Sequence, residues 1–362
     1  MKIPIPFRMA GYRLEHAAGH SVQLPINLTV SVTYRCGSRC GTCGIWQRKS
    51  DELSLAELEK TYRILRKVPV WATLSGGDQF LRPDLGEIVD LTRRELEPSA
   101  INIPMNGLAL ARIRELLPKV VQASRGSQLI LNLSVDEIGD EHDKLRGAKG
   151  NWRKLLEVAD LIRSLQPDNP HVLMGVHTVV SRANVARIPD IQASIREIFR
   201  PDSYVTEVAE QRVELLTTER QITPDPADYR RAAAVLKSAI GHSRAKRPVA
   251  RLIQALRMEY YDLAAATLEQ KRQIIPCYAG LASAQLAPDG EVWGCCVRAE
   301  SLGNVRDYDY DFAAVWAGAK ADAFRASVRA GQCSCPLANA AYTNMILDPA
   351  TVARAMLRVA GL

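Results

Sequence analysis

Short apolar runs alternate with longer amphipathic segments along most of the chain from residue 25 onward. The short runs predict strands at Ile26–Val32, Trp71–Ser75, Ile101–Pro104, Leu129–Val135, Val172–Val180 and Tyr204–Ala209. The amphipathic segments between them predict helices at Leu55–Lys67, Leu85–Leu96, Ala109–Val120, Trp152–Leu165 and Val185–Ile198. Because right-handed crossovers between parallel strands repeat in one sense, this order predicts an α/β fold that curls into a partial (β/α)6 TIM-like barrel.

The remaining patterns add smaller parts to this barrel. We expect, in chain order, an N-terminal arm (1–24), the barrel (25–215), a helical connector (216–270), a small α+β auxiliary domain (271–346) and a C-terminal helix (347–362). Ser54 followed by Glu57 predicts a capping box at the first barrel helix. In the auxiliary domain, Pro288-Asp289-Gly290 predicts the tip of a hairpin, and Phe312–Ala330 is predicted to form one helix.

Composition and charge indicate which kinds of partner the chain can bind. The chain has 362 residues, of which 47% are hydrophobic and 6% aromatic, and a net charge of +7. Its basic residues are spread widely, with a single cluster at Arg244, Lys246, Arg247 and Arg251, so a solvated basic face or an anionic substrate is favoured over a nucleic-acid partner. The chain begins without an apolar leader and has no run long enough to form a transmembrane segment, so we expect a cytoplasmic enzyme.

All eight cysteines fall into two groups at opposite ends of the chain. The first group, Cys36-x3-Cys40-x2-Cys43, is one thiolate short of a closed tetrahedral set, so a metal cluster held there keeps one corner open. The second group has enough thiolates to close a site and consists of Cys277, Cys295, Cys296, Cys333 and Cys335. Disulfides suit small secreted domains, and zinc would need a fourth ligand near the first group, so the pattern favours iron–sulfur clusters.

Glycine and polar residues follow successive predicted strands, at the edge where barrels of this type place their chemistry. Gly76-Gly77-Asp78 follows the second strand, and Asn184 follows the fifth. On the fourth strand, Ser134 and Asp136 share one face, and a polar row inside a barrel is costly unless it meets a ligand or a network. Their order along the chain predicts a ligand site on this rim, together with the first group of cysteines.

These residues resemble the radical S-adenosylmethionine (SAM) superfamily over about residues 25–215. The resemblance rests on the three-cysteine motif, on Gly76-Gly77-Asp78 at the place of the family's GGE motif, and on Ser134 in the fourth strand. The C-terminal region is similar to the SPASM/Twitch extension, because Cys277-x12-Gly290-x4-Cys295 reproduces its opening pattern. The later cysteines are reduced to Cys333-Ser334-Cys335, so the resemblance implies one auxiliary cluster there.

The resemblance implies SAM and two [4Fe–4S] clusters as cofactors, with a flavodoxin- or ferredoxin-type electron donor as partner. The SAM-binding cluster would be held by Cys36, Cys40 and Cys43. The auxiliary cluster would be held by Cys277, Cys295, Cys333 and Cys335. Cys296 is then a spare thiol.

The same resemblance implies contacts to SAM. Gly76, Gly77 and Asp78 would meet the methionine amine, while Ser134 and Asp136 would face the ribose. Asn184 would lie near the methionine or ribose end. Thr42 stands where the family often has an aromatic residue, so the adenine contact falls either there or on the backbone around Ile45 and Trp46.

The resemblance implies reductive cleavage of SAM to a 5′-deoxyadenosyl radical that takes a hydrogen atom from the substrate. We expect an oxidoreductase-type reaction on a polar small-molecule substrate, sugar- or aminocyclitol-like. Glu207, Glu210 and Arg212 after the sixth strand are candidates for the base and the anchor, whereas His177 is interpreted as a core residue. The alternatives are maturation of a ribosomal peptide, epimerisation of a sugar or peptide with Cys296 as hydrogen donor, and carbon–carbon bond formation on a lipid precursor.

Overall fold

The computed structural model describes residues 5–242 and 248–361, so Arg244, Lys246 and Arg247 of the basic cluster lie outside the described residues. The strands are β1 (Asn27–Thr33), β2 (Trp71–Gly76), β3 (Ala100–Met105), β4 (Gln128–Ser134), β5 (Val172–Val180), β6 (Ser203–Val208), β7 (Ser283–Leu286), β8 (Glu291–Trp293) and β9 (Ser301–Asn304). Within the described ranges they form one nine-stranded sheet in the order β6-β5-β4-β3-β2-β1-β7-β8-β9. Neighbouring strands from β1 to β6 run parallel, which confirms the predicted partial barrel.

Helices alternate with the barrel strands and continue through the C-terminal part. They are α1 (Ile5–Ala18), α2 (Leu55–Leu65), α3 (Leu85–Leu91, continued by a π-helical turn at Thr92–Leu96), α4 (Leu110–Ala123), α5 (Gly139–Arg146), α6 (Asn151–Leu165), α7 (Ile188–Ile198), α8 (Pro226–His242), α9 (Pro248–Gln270), α10 (Phe312–Trp316), α11 (Ala319–Arg329), α12 (Ala338–Leu347) and α13 (Pro349–Ala360). None of the described helices combines the length and the apolar composition that crossing a membrane requires.

The alternation along β4 shows how the sheet separates its core from its cavity. Leu129, Leu131 and Leu133 are completely buried in the main hydrophobic core. Each leucine buried in this way contributes about 2 kcal/mol. Asn132 and Ser134 point to the opposite face of the strand and are only partly buried. The polar face that the sequence predicts therefore lines the inside of the barrel.

Helix α2 begins with the predicted capping box. The Glu57 N–H donates to the Ser54 hydroxyl at 3.3 Å, and the Ser54 N–H donates to the Glu57 carboxylate at 2.8 Å. The same carboxylate accepts from Arg306 at 2.8 Å and from Tyr310 at 3.0 Å, both in the C-terminal part. The hydrogen bond from Arg306 is the main reason that the pKa of Glu57 is lowered to about 2. One side chain thus caps a barrel helix and connects it to the C-terminal part.

The C-terminal part is continuous with the barrel sheet. Strand β7 pairs in parallel with β1, from Asn27 opposite Ser283 to Val30 opposite Leu286, and β8 and β9 continue in antiparallel order. The predicted hairpin connects β7 and β8, and Gly290 at its tip has φ +89°, in the left-handed region that favours glycine. The auxiliary part is therefore held against the first barrel strand.

Two segments differ in detail from the sequence-based expectation. The prediction of one helix at Phe312–Ala330 is wrong, because Gly318 adopts an extended conformation with ψ 159° and separates α10 from α11. The segment predicted as an N-terminal arm contains α1. The Tyr12 side chain of this helix is completely buried in one cluster with Tyr278 and Leu281 of the C-terminal part. Burying the apolar side of α1 accounts for this docking.

Candidate cluster and cofactor site

A cavity opens at the carboxyl ends of the barrel strands. Each strand from β1 to β6 supplies wall residues at or just after its end, for example Cys36, Gly77, Asn106, Ser134, Val179 and Glu207. The same wall includes other residues that the sequence singled out, namely Cys40, Thr42, Cys43, Gly76, Glu210 and Arg212. The structure therefore brings the first group of cysteines, the glycine pair and the candidates after β6 to one cavity.

The cysteine loop after β1 is anchored to the end of α5. The Arg39 N–H donates to the Arg146 carbonyl at 3.0 Å, and the Gly41 N–H donates to the Leu145 carbonyl at 3.1 Å. Gly147 follows these acceptors with φ +58°, and a Cβ added there would lie 2.4 Å from the Arg39 carbonyl oxygen. Only glycine permits this approach, so α5 and its glycine hold the loop in place.

The thiols of this loop are half-buried and surrounded by donors. Burial raises the pKa of Cys36 and raises that of Cys43 to about 12. Cys43 Sγ accepts from the Ile45 N–H at 3.5 Å, and Cys36 Sγ accepts from Asn106 Nδ2 at 3.7 Å. These contacts favour the thiolate forms, and metal binding would supply the rest of the free energy needed for deprotonation.

The type of metal site follows from the number of these thiols and from the cavity beside them. Cys36, Cys40 and Cys43 all line the cavity, and they are three thiols where a closed site holds four ligands. A [4Fe–4S] cluster bound by three thiolates keeps one iron open to a ligand. Three thiols at the edge of a cavity therefore fit such a cluster.

The glycine pair allows β2 to end against the cysteine loop. Gly76 has φ +112°, and a Cβ added there would lie 2.1 Å from the Thr33 carbonyl oxygen. A Cβ on Gly77 would lie 2.2 Å from the Arg35 carbonyl oxygen. Larger residues would push the two segments apart, so the pair serves packing as well as exposing backbone groups to the cavity.

Three residues predicted to contact SAM are bonded within the fold instead of lining the cavity. Asp78 is buried and accepts from the backbone N–H two residues later at 3.1 Å. Asp136 accepts from Arg146 Nη1 at 2.8 Å. Asn184 donates from Nδ2 to the Asp136 carbonyl at 2.7 Å. Their side chains therefore support the cavity wall from behind. Among the polar residues of β4, Ser134 is the one that lines the cavity.

Sequence reasoning missed four polar residues of the wall, Ser38, Gln79, Asn106 and Arg146. Ser38 lies within the three-cysteine motif, where only the cysteines carry a signal. Gln79 directly follows the glycine motif, so an extended motif would have included it. Asn106 belongs to an Asn-Gly turn, which taken alone indicates only a turn. Arg146 lies 10 residues beyond its partner Asp136, at the end of a helix, and no local pattern connects them.

Unpaired polar atoms cluster at this cavity. Arg146 Nε, Ser38 Oγ and Glu210 Oε2 are buried and have no hydrogen-bond partner within the described part of the chain. Leaving such a group unpaired costs about 1–3 kcal/mol, so their grouping indicates a polar ligand that pairs them. A guanidinium suits a carboxylate, and a hydroxyl suits an amine or a sugar. SAM carries all of these groups, and the donors beside the three cysteines therefore fit it.

An ion-pair group lies at the end of β6. Arg212 Nε lies 2.5 Å from Glu210 Oε1, and Arg212 Nη2 lies 3.3 Å from Glu207 Oε1. His177 Nε2 lies 3.7 Å from the same Glu207 oxygen, so this partly buried histidine meets a carboxylate. Burial raises the pKa of Glu210 to about 7, against the opposing effect of Arg212. The group combines a fixed guanidinium with one free acceptor oxygen.

The second group of cysteines assembles in the C-terminal part. Burial raises the pKa of Cys277 and Cys335 and raises that of Cys295 to about 12, and neighbouring thiolates of the group, including Cys333, add to the rise. Cys277, Cys295 and Cys333 pack against the main hydrophobic core. Four thiols gathered in an apolar setting fit a closed cluster with no iron left for a ligand.

Cys296 lies between this group and the ion pairs of β6. Its Sγ is 4.0 Å from Arg212 Nη1, and the side chain is 8% exposed. The backbone on either side joins the loop after β6, since the Val213 N–H donates to the Val297 carbonyl at 2.9 Å and the Glu214 N–H to the Cys296 carbonyl at 3.4 Å. The cavity and the second group of cysteines therefore share one wall.

Comparison with known proteins identifies the same two regions. A family profile described as the radical SAM superfamily matches residues 30–183, and the profile of the SPASM iron–sulfur cluster-binding domain matches residues 277–336. The chain is 30% identical over 179 residues to the PqqA peptide cyclase of Gluconobacter oxydans, covering 48% of this chain and 47% of that protein. It is 33% identical over 145 residues to molybdenum cofactor biosynthesis protein 1 of Drosophila melanogaster, covering 37% of this chain and 24% of that protein. The chain thus spans less than half the length of these curated relatives.

Solved structures share the fold. Streptococcus suis SuiB bound to S-adenosylmethionine superposes with a TM-score of 0.63 at 14% identity, covering 90% of this chain and 74% of that chain. The enzyme anSMEcpe, with AdoMet and a peptide bound, superposes with a TM-score of 0.57 at 13% identity, covering 93% of this chain and 98% of that chain. The likeness extends over both the barrel and the C-terminal part.

Proposed function

The chain belongs to the radical SAM superfamily, with SAM and two [4Fe–4S] clusters as its cofactors, and on that premise we propose that it modifies a peptide. The observation that carries the proposal is the 30% identity to a protein named PqqA peptide cyclase. SuiB, which has the same fold, is also known bound to its precursor peptide SuiA. The sequence ranked a polar small molecule first and peptide maturation as the alternative. The named relatives favour the alternative.

The residues around the cavity are assigned to the cofactors as follows. When bound, SAM and the clusters supply the one-electron chemistry, removing a hydrogen atom from the substrate and taking up the electron released later. The three N-terminal cysteines hold the first cluster, and Cys277, Cys295, Cys333 and Cys335 hold the second. Arg146 and Ser38 offer their unpaired donors to the carboxylate end of SAM, and Ser134 offers its hydroxyl to the ribose.

On the substrate side, Glu210 is assigned as the proton acceptor. A new bond formed from a substrate radical releases a proton together with an electron, and Glu210 Oε2 is an acceptor without a partner among the described residues. Arg212 fixes this carboxylate and that of Glu207, so the free oxygen keeps one position. The cavity wall positions the substrate, because the radical attacks most C–H bonds within reach.

The test uses the anaerobically reconstituted protein with SAM, dithionite and the short peptides encoded beside its gene. We expect one of these peptides to stimulate the formation of 5′-deoxyadenosine and to lose two hydrogen atoms in its mass spectrum. Stimulation by a sugar or an aminocyclitol, without any response to a peptide, would contradict the proposal and restore the small-molecule hypothesis.

A further inference from the structure

A mixed apolar and basic surface covers the outside of the cysteine loop. We call it the cluster-loop surface, and it consists of Arg39, Trp46, Lys49, Val213, Leu216 and Arg220. Its apolar members are unusually exposed for large side chains, with exposed fractions of 39% for Trp46, 39% for Val213 and 41% for Leu216. Exposed apolar side chains that are grouped and surrounded by charge mark interaction sites more often than scattered ones do.

The two segments that form this surface are joined into one unit. The Gly44 N–H donates to the Leu215 carbonyl at 2.7 Å. The Arg48 side chain donates to the Glu214 and Val213 carbonyls, both at 2.7 Å. The surface is therefore held in a fixed shape by the same loop that carries the cysteines, and a partner would meet it without a large ordering cost.

The cations of the surface are free to meet an acidic partner. The Arg39 guanidinium lies 4.2 Å from the centroid of the Trp46 ring and donates to carbonyls of its own loop. Arg220 donates to the Gly41 carbonyl at 3.3 Å. In the part of the chain that the structure describes, these arginines and Lys49 form no ion pair with a carboxylate. Glu219 is the exposed acid in the same two segments, so positive charge exceeds negative charge here.

The position of the surface limits what its partner does. No residue of the cluster-loop surface belongs to the cavity wall, whereas Cys40, Thr42 and Cys43 of the same loop do. One side of the loop therefore holds the thiols, and the other side carries the exposed patch. A substrate has to enter the cavity. An electron donor has to come close to the metal without occupying the place of the substrate, and this patch offers that approach.

We propose that the cluster-loop surface docks an acidic flavodoxin- or ferredoxin-type protein that delivers one electron to the cluster site behind the loop. The reduced cofactor of the partner is oxidised by one electron, and the cluster is reduced by one. Positive charge on the surface speeds and orients the encounter, while the exposed Trp46 supplies apolar contact area. The inference depends on the cofactors of the chain and not on the identity of its substrate.

The experiment measures donor binding and SAM cleavage in the reconstituted protein, without any peptide. A fluorescently labelled bacterial flavodoxin is titrated by anisotropy against the unmodified protein, the double variant Lys49→Glu/Val213→Glu and the control Lys320→Glu, an exposed lysine on α11. We expect the double variant to bind at least about tenfold more weakly and the affinity of the unmodified protein to fall with added salt. The control should bind like the unmodified protein.

Formation of 5′-deoxyadenosine separates docking from chemistry. With reduced flavodoxin as donor, the double variant should show a reaction rate reduced in parallel with its binding, whereas with dithionite all three proteins should react alike. Unchanged flavodoxin binding by the double variant would overturn the proposal.

Discussion

The two groups of cysteines share one kind of cofactor and differ in their surroundings. The N-terminal thiols line an open cavity beside buried polar atoms of Ser38, Arg146 and Glu210 that lack partners among the described residues. The C-terminal group has five thiols, of which Cys277, Cys295 and Cys333 pack against the main hydrophobic core. A cluster by itself therefore does not mark the reactive place. An open coordination position together with unpaired polar groups does.

The residues between the cavity and the second group of cysteines influence both sites. Glu210 faces the cavity, and its negative charge is the next cause after burial for the raised pKa of Cys335 in the second group. Arg212 holds Glu210 on one side and lies 4.0 Å from the Cys296 sulfur on the other. Proton release and electron release from a substrate would therefore occur at neighbouring positions.

Removing the N-terminal cysteines should have the largest effect on SAM cleavage and should distinguish the two groups of cysteines most clearly. The variant with Cys36, Cys40 and Cys43 all changed to alanine should lose about half of the iron and all SAM cleavage, because the open iron is lost. The matched variant lacking Cys277, Cys295, Cys333 and Cys335 should also lose about half of the iron but still cleave SAM. Iron analysis measures the cluster content of each variant, and the formation of 5′-deoxyadenosine measures its SAM cleavage. SAM cleavage by the first variant would refute the assignment.

Glu210→Gln should reduce product formation by about a hundredfold or more while SAM cleavage continues, because a positioned general base contributes about 10²–10⁴ in rate. Burial raises the pKa of Glu210 to about 7, and the base acts in its deprotonated form, so turnover of the unmodified enzyme should increase as the pH rises through 7. This rise should be missing from the variant. Glu219→Gln, in an exposed position of the same loop, is the control and should keep both rate and pH profile.

Arg146→Lys should weaken SAM binding by roughly tenfold or more. The lysine keeps a cation near Asp136, so the fold is preserved, but it loses the planar donors that a carboxylate requires, worth about 1.5–3 kcal/mol. Equilibrium dialysis of labelled SAM measures the effect. Arg187→Lys is the control, since that arginine is half-exposed and pairs with Glu137 at 3.1 Å outside the cavity. Equal affinities in both variants would exclude Arg146 from the SAM site.

Cys296→Ala should have the smallest effect. We expect full iron content and most of the activity, because the thiol is buried beside Arg212 and our proposal assigns the other four cysteines as the ligands of the auxiliary cluster. Loss of auxiliary iron would overturn the assignment of ligands. Full iron with turnover that stops after hydrogen abstraction would instead assign Cys296 as a hydrogen donor and favour epimerisation.

The barrel could be predicted because periodicity is local. The β–α alternation and the capping box of Ser54 and Glu57 depend on residues close together in sequence. The pairing of β7 with β1 could not be predicted, since it joins Asn27 to Ser283 across most of the chain and depends on tertiary packing. The break at Gly318 was missed because one glycine within a helical pattern is usually tolerated.

The site could be predicted only where its residues form motifs. The cysteine spacing and the glycine pair are such motifs, and both lie at the cavity. Strand periodicity placed Asp136 on the face of Ser134, but a buried carboxylate is satisfied by whichever partner the fold brings near, here Arg146. Since that arginine comes from another element, only the structure reveals that it pairs with the carboxylate and that its Nε has no partner among the described residues.

Electron paramagnetic resonance of the reduced protein, before and after addition of SAM, tests the difference between the two sites most directly. Spectra are taken from the unmodified protein and from the two alanine variants that each retain one group of cysteines. We predict that SAM changes the signal of the N-terminal cluster alone and leaves the signal of the C-terminal cluster as it was. A change of signal on adding SAM to the variant that lacks Cys36, Cys40 and Cys43 would contradict the account.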